Sequence, residues 1–413
     1  MMEGLPATSW LVLGVFCTVY LGMILGGLPR LQLDRTGVAL LGAIAIVGAG
    51  VMTPEAAAQA IHLPTILLLF SFMVISAQMR LGGFYGAVTR RIAALKLGPA
   101  GLMGVVVAAS ALLSAVFSND IVCLAMAPLL LEACLRRRLD PVPFLLGLAC
   151  ASNIGSAATL IGNPQNMLIG EVLKLPFGGY ALQALPPVLL GLLALWGLLA
   201  WQMRGSEALS EHVLPPPDEP PFDAWQTTKG LVVAGVLVVV FLFSDWPRDV
   251  AALVGAGLLL LSQRFHSSQV MGLIDWELLI LFMGLFVVNA ALEHSGLTRD
   301  AIAALQAGGV DLSQPWPLFI ATLGLSNLVS NVPAVMLLLP GAHAPTSGTT
   351  LALVSTLAGN LLLVGSIANL IVIDAARRAG VLIDWRRHAR TGVPVTLASL
   401  AVTALWLAWL AGR

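Results

Sequence analysis

Long apolar runs separated by short polar interruptions make up most of this chain. The runs fall at 9–28, 37–52, 62–79, 101–135, 142–173, 182–203, 228–243, 250–261, 276–292, 315–340, 351–373 and 394–410. A helix that crosses a bilayer needs about 20 apolar residues, so runs of this length predict membrane helices; 250–261 is the weakest of them. Two runs carry a polar break near the middle, Ser118-Asn119-Asp120 in 101–135 and Ser330-Asn331 in 315–340. Each predicts a re-entrant hairpin that enters and leaves on one face, with the polar residues at its tip. Two further runs contain glycine and amide clusters, SNIGSAATLIGNPQN at 152–166 and AGNLLLVGSIAN at 358–369. Pro164 removes a backbone donor and drives Asn163 out of the helical region. The first cluster therefore predicts a helix that breaks around 162–166 and resumes toward Leu173. Irregular backbone at membrane depth must be buried in protein or line a cavity, so the breaks mark a site.

The same pattern repeats. The tips at Ser118 and Ser330 are 212 residues apart, and Phe70 and Phe282 share that offset. Gly162 and Asn166 match Gly365 and Asn369 at an offset of 203. The plan is all-α and polytopic: two inverted repeats, each of five crossings and one re-entrant hairpin, with broken helices at the centre. The first repeat is 1–203, and 230–413 is the second. Between them, 204–229 holds Pro215-Pro216-Pro217, Asp218, Glu219, Pro220 and Pro221 and reads as an exposed cytoplasmic linker. With the amino terminus outside, 17 of the 21 Lys and Arg fall on one face and 4 on the other, which marks the rich face as cytoplasmic. Both termini are then outside, in what reads as the plasma (inner) membrane. Removing the 250–261 crossing would put Arg377, Arg378, Arg386, Arg387 and Arg390 outside, so the charge rule keeps it. Three basic or mixed stretches, 85–97, 298–307 and 383–390, read either as in-plane amphipathic helices or as short loops.

Composition agrees: 58% of the 413 residues are hydrophobic, 10% are charged and mean hydropathy is +0.92. A soluble domain carries about 25% charged residues. Zero formal net charge gives no reason to expect nucleic acid as a partner. Cys17, Cys123, Cys134 and Cys150 lack metal-ligand spacing and read as small core residues. The first run lacks a basic leader and a cleavage site and reads as a retained helix. No HExxH, GxSxG or Walker loop is present, so neither an enzyme nor coupling to ATP is expected, and no cofactor.

The chemistry-bearing candidates gather at the tips and breaks. Ser118, Asn119, Asn163, Ser330, Asn331 and Ser366 are candidates to contact a small anionic or oxyacid solute. Asn119, Asp120, Asn153, Gly155, Thr159, Gly162, Asn166, Asn331, Gly359, Asn360, Gly365 and Asn369 are candidates for sodium or proton coupling, because unwound carbonyls and amide oxygens suit sodium and an intramembrane carboxylate suits a proton or cation path. The competing reading is that the tips only cap half-helices and that the amides, Gln165 among them, only glue helices together. His62 and Asp374 read as interfacial residues, and Glu132 with Arg136, Arg137 and Arg138 as a membrane-edge cluster.

FSNDIVCLAMAPL, ASNIGSAATLIGNPQNMLIG, LSNLVSNVPAVMLL and STLAGNLLLVGSIANLIV together resemble the ion transporter superfamily, the citrate transporter-like group of divalent anion–sodium symporters, arsenite permeases and some sodium–proton antiporters. The resemblance implies a scaffold and a transport domain, a homodimer through the scaffold, and elevator-like movement of a small anion coupled to sodium or protons. In dicarboxylate members each tip carries Ser-Asn-Thr; here the third positions are Asp120 and Val332. Asp120 repels an anion unless a cation or proton neutralises it. The Asn-Asp tip and GNPQN look closer to the arsenite-permease branch, so a metalloid permease or a sodium–proton antiporter on the same scaffold is the alternative.

Overall fold

The computed structural model describes residues 7–28, 31–204 and 220–411. Most of the predicted linker, the proline run included, and the chain ends on which the terminal sides depend lie outside these residues. The described part of the first half runs α1 (Ala7–Leu25), α2 (Arg35–Gly48), α3 (Pro54–Ala60), α4 (Leu63–Leu81), α5 (Phe84–Ala94), α6 (Pro99–Val116), α7 (Asn119–Arg136), α8 (Pro141–Ser156), α9 (Pro164–Val172) and α10 (Phe177–Gln202). The second half runs α11 (Ala224–Phe243), α12 (Arg248–Leu260), α13 (Ser267–Met271), α14 (Trp276–His294), α15 (Leu297–Ala307), α16 (Pro315–Val329), α17 (Asn331–Leu338), α18 (Ser347–Ala358), α19 (Ile367–Arg378) and α20 (Trp385–Ala411). Seven of these helices are long and apolar enough to cross a membrane: α1, α4, α6, α10, α11, α14 and α20.

The packing shows which face each apolar run uses. Leu193, Phe243 and Leu405 are 60%, 82% and 75% exposed, while Ser152, Asn153, Asn166, Thr356 and Asn360 are buried within an otherwise apolar interior. Leucine outside and amides inside is the arrangement expected where the solvent is hydrocarbon. The chain is thus a multi-pass integral membrane protein. Cys123, Cys134 and Cys150 are buried as expected, but Cys17 is exposed, on the outward side of α1. A thiol is apolar enough for that position.

The helices form two groups. In one, α1 packs on α2, α11 on α12, α4 on α11 and α12, and α14 on α1 and α2. In the other, α6, α7 and α10 pack on α8, α16 and α20 pack on α18, and α19 reaches across to α7 and α8. The inner half-helices sit at the centre: every residue of α18 is buried, and every residue of α8 except Pro143. Adding ten to a helix label maps most packed pairs onto packed pairs: α4–α12 onto α14–α2, α6–α8 onto α16–α18, α8–α19 onto α18–α9. Helix starts keep the sequence offsets, with α7 and α17 beginning 212 residues apart and α9 and α19 beginning 203 apart.

Two boundaries differ from expectation. The first break covers 157–163 rather than 162–166. Pro164 does not end the gap but starts α9, because proline is preorganised for the first helical position and Asn163 caps it, accepting from Asn166 N at 2.9 Å. Gln165 and Asn166 are therefore helical. The stretch 383–390 is not a separate surface helix. Asp384 accepts from Arg387 N at 2.8 Å, and α20 then runs unbroken through Pro394. The other two stretches form the separate helices α5 and α15, α5 packing on α7 and α15 on α14.

Candidate functional site

Each hairpin tip rests on the helix break of its own half. The first turn is Phe117-Ser118, and Asn119 N donates to Gly162 O at 3.3 Å. Ser152 Oγ donates to Asn119 O at 3.0 Å and meets Ser114 Oγ at 2.8 Å. This close approach needs Gly155 and Gly162. A Cβ on Gly155 would run into the Ala111 backbone, and one on Gly162 into Ser156 O. The second turn is tighter. Ser330 adopts φ 78° and ψ 160°, a region almost confined to glycine that costs about 1–3 kcal/mol. Asn331 lies against Gly359, where a Cβ would stand 3.3 Å from its Nδ2, and Asn327 lies against Gly365, 3.4 Å from its Oδ1 by the same measure.

Asn153 ties the two breaks together. Its Oδ1 accepts from Asn119 Nδ2 at 3.0 Å and from Ser366 Oγ at 2.9 Å. Its Nδ2 donates to Asn360 Oδ1 at 2.8 Å and Asn369 Oδ1 at 3.3 Å. Thr356, 203 residues further on, has the mirrored role. It accepts from Asn163 Nδ2 at 3.1 Å and Gln165 Nε2 at 3.2 Å, and donates to Asn166 Oδ1 at 3.4 Å. Asn166 Nδ2 reaches Thr159 O at 3.1 Å, and Asn369 Nδ2 reaches Leu362 O at 3.3 Å, the same bond at the same offset. Thr159 Oγ1 donates to Ala115 O at 2.5 Å, joining the break to the first hairpin.

The predicted amides and glycines thus assemble, all buried except Asn331, which is half-buried. Ser118, Asp120 and Ser330 are half-buried, and among the described residues no hydrogen bond holds their side chains. Asp120 lies in the first turn of α7, where the helix dipole favours a negative charge. Four half-helix amino termini, those of α7, α9, α17 and α19, meet this region and present positive dipole ends to it. Several oxygens remain unanswered: Asn119 Oδ1, Asn327 Oδ1, Asn331 Oδ1 and Ser326 Oγ are buried without a hydrogen-bond partner. Leaving such a group unmatched costs about 1–3 kcal/mol each.

Sequence reasoning missed several members. Ser114, Ser326 and Asn327 precede the tips by one helical turn. Thr356 is found only by carrying Asn153 across the 203 offset. Tyr180 closes the first break, accepting from Asn166 Nδ2 at 3.2 Å and donating to Ala157 O at 2.6 Å. His388, inside the basic stretch, is buried with Nε2 at 3.1 Å from Asn360 O. His62 lies outside this assembly, its Nδ1 at 2.9 Å from Thr65 Oγ1. Asp374 pairs with Arg377 and Arg378, and Glu132 with Arg136.

Known proteins resemble this chain in sequence and in fold. An uncharacterized transporter of Mycobacterium tuberculosis is 31% identical over 92% of this chain and 94% of its own. A silicon efflux transporter of Oryza sativa is 29% identical over 91% of this chain and 92% of its own. The crystal structure of the YdaH transporter of Alcanivorax borkumensis, described as having an unusual topology, superposes with a TM-score of 0.58 over 98% of both chains at 15% identity, a likeness of fold. Residues 19–358 match the family described as citrate transporter, and this chain belongs to that family.

Proposed function

We propose that the chain is a secondary active transporter of a small anion, coupled to sodium or protons and moving its cargo by an elevator step. The carrying observation is the set of buried, unpartnered oxygens at the two tips: Asn119 Oδ1, Asn327 Oδ1, Asn331 Oδ1 and Ser326 Oγ. A cation beside each tip answers these lone pairs together with carbonyls of the adjacent break. Two such cations, with the dipole ends of α7, α9, α17 and α19, offset the charge of an anion held by Ser118 and Ser330, whose hydroxyls cap their helices without bonding to them. Asp120 then holds a cation or carries a proton. The exchange of packed pairs between halves supports a repeated plan, and with five crossings in each half the two repeats are inverted and their hairpins open from opposite faces. The hairpins and broken helices form the moving unit. The other group forms a scaffold and a homodimer contact.

A second reading is favoured by Asp120 and by the silicon efflux relative. In it the cargo is a neutral oxyacid, which does not conflict with a carboxylate at the tip. A sodium–proton antiporter on the same scaffold is the third form. Purified protein in proteoliposomes separates them. Uptake of citrate, sulfate, arsenite and silicic acid is measured under an imposed sodium gradient, a proton gradient or neither, for wild type, Asn119→Ala and Asn331→Ala. Gradient-driven uptake that both substitutions abolish is expected. Uptake that both variants retain would remove the tips from the site, and cation exchange with no solute uptake would select the antiporter.

A further inference from the structure

A cavity of about 650 Å³ opens between the end of α10 and the first turns of α20, and none of the tip or break residues lines it. Arg204, Arg387 and Arg390 line it. Neither Arg204 nor Arg390 pairs with a carboxylate among the described residues, and the Arg387 guanidinium donates only to Leu382 O at 3.3 Å. Asp140 also lines the cavity, but its carboxylate is engaged as the cap of α8, accepting from Val142 N at 3.0 Å. Among the described residues, charge there is therefore three guanidiniums against one carboxylate.

The cavity floor is built. Gln202 spans the two helices, its Nε2 donating to Arg390 O at 3.0 Å and its Oε1 accepting from Thr391 Oγ1 at 2.9 Å, and Thr391 is buried. One wall is apolar, made by Val142 and Leu146, and Trp201 stands 64% exposed at the rim. Exposed tryptophan beside arginine at a helix end marks the bilayer–water boundary.

We propose that this cavity binds the phosphate headgroup of an anionic membrane lipid, the guanidiniums holding the phosphate and the apolar wall taking the start of an acyl chain. Guanidinium forks match phosphate oxygens in pairs, and basic pockets between membrane helices recruit such headgroups. The apolar wall beside the arginines favours a lipid over free phosphate, which has no use for it. The occupant clamps α20 to α10 less than one turn from His388, which holds the second break through Asn360 O.

The test is native mass spectrometry and thermal unfolding of the purified full-length protein with phosphatidylglycerol, phosphatidylcholine or inorganic phosphate added singly. Phosphatidylglycerol is expected to bind and raise the unfolding temperature while phosphatidylcholine does neither. Arg204→Gln, at an exposed helix end, is expected to weaken it roughly fivefold, and R204Q/R387Q/R390Q more than tenfold. Arg91→Gln, exposed elsewhere, should leave binding unchanged. Unchanged binding by the triple variant, equal binding of phosphatidylcholine, or full stabilisation by inorganic phosphate alone would overturn the proposal; the last would reassign the cavity to a soluble anion. Should the triple variant fail to fold, Arg204→Gln alone decides.

Discussion

Asn119 and Asn153 share one hydrogen bond but differ in what else they do. Asn153 answers Asn119, Ser366, Asn360 and Asn369 at once. Asn119 leaves one oxygen free. Asn153→Ala should therefore cost stability, about 2–4 kcal/mol from four bonds lost and their partners stranded, read as a drop in the midpoint of thermal or denaturant unfolding. Asn119→Ala should cost less than about half of that yet still abolish coupled uptake. Equal losses of stability would mean that Asn119 is glue rather than a ligand. Ser330 gives a change in the opposite direction. Its left-handed backbone suits glycine, so Ser330→Gly should raise stability by about 1 kcal/mol while removing the hydroxyl proposed to hold the solute. A stabilised, transport-deficient Ser330→Gly variant is the expected outcome. Gly155→Ala is the severe case. The added carbon meets the α6 backbone rather than a flexible side-chain end, at a cost of about 3 kcal/mol or more, so loss of folded protein on size-exclusion chromatography is expected.

The informative contact between elements is that of α9 with α12. Glu171 and Arg248 form a buried ion pair at 2.9 Å, with Lys174 3.6 Å away, and Arg248 Nη2 also donates to Gly170 O at 2.8 Å. Lys174 and Arg248, two of the four basic residues that the charge count assigns to the poorer face, thus share one carboxylate, which offsets one of their two charges. The pair joins α9, in the group of broken helices, to α12, in the group proposed as scaffold. Arg248→Ala strands a buried carboxylate and should destabilise by about 3–5 kcal/mol, whereas E171Q/R248Q should recover most of that. If the groups slide past each other in transport, the pair must part in each cycle. A reducible bis-thiol cross-linker that spans the two side-chain positions in the Glu171→Cys, Arg248→Cys variant should then stop uptake, and reduction should restore it. Undiminished uptake by fully cross-linked protein would place the moving boundary elsewhere.

Across the whole molecule, the sequence was informative wherever a signal was local. Apolar runs located the helices, because hydrocarbon admits only segments that satisfy their own backbone. Pro164 and the flanking amides located the first break, though its edges moved: a proline that forbids the preceding turn also starts the next one. The repeated offsets led to Asn166 and Asn369, whose bonds to Thr159 O and Leu362 O are equivalent. What no local signal carried was pairing at long range. Asn153 meets Asn360 across 207 residues, and Glu171 meets Arg248 across the two groups. His388 carries no local signal among its neighbouring arginines, because it meets Asn360 O only where α20 runs straight past the second break. Cys17 faced outward because a helix in lipid can turn either side to its surroundings, and hydropathy does not say which. Membrane spanning, the neighbourhood of each helix break and the residue types that stand there follow from the order of amino acids alone, since backbone hydrogen bonding and solvation act residue by residue. Which amides answer one another and which oxygens are left over emerges in the folded molecule, because that depends on how two distant halves pack and not on either half alone.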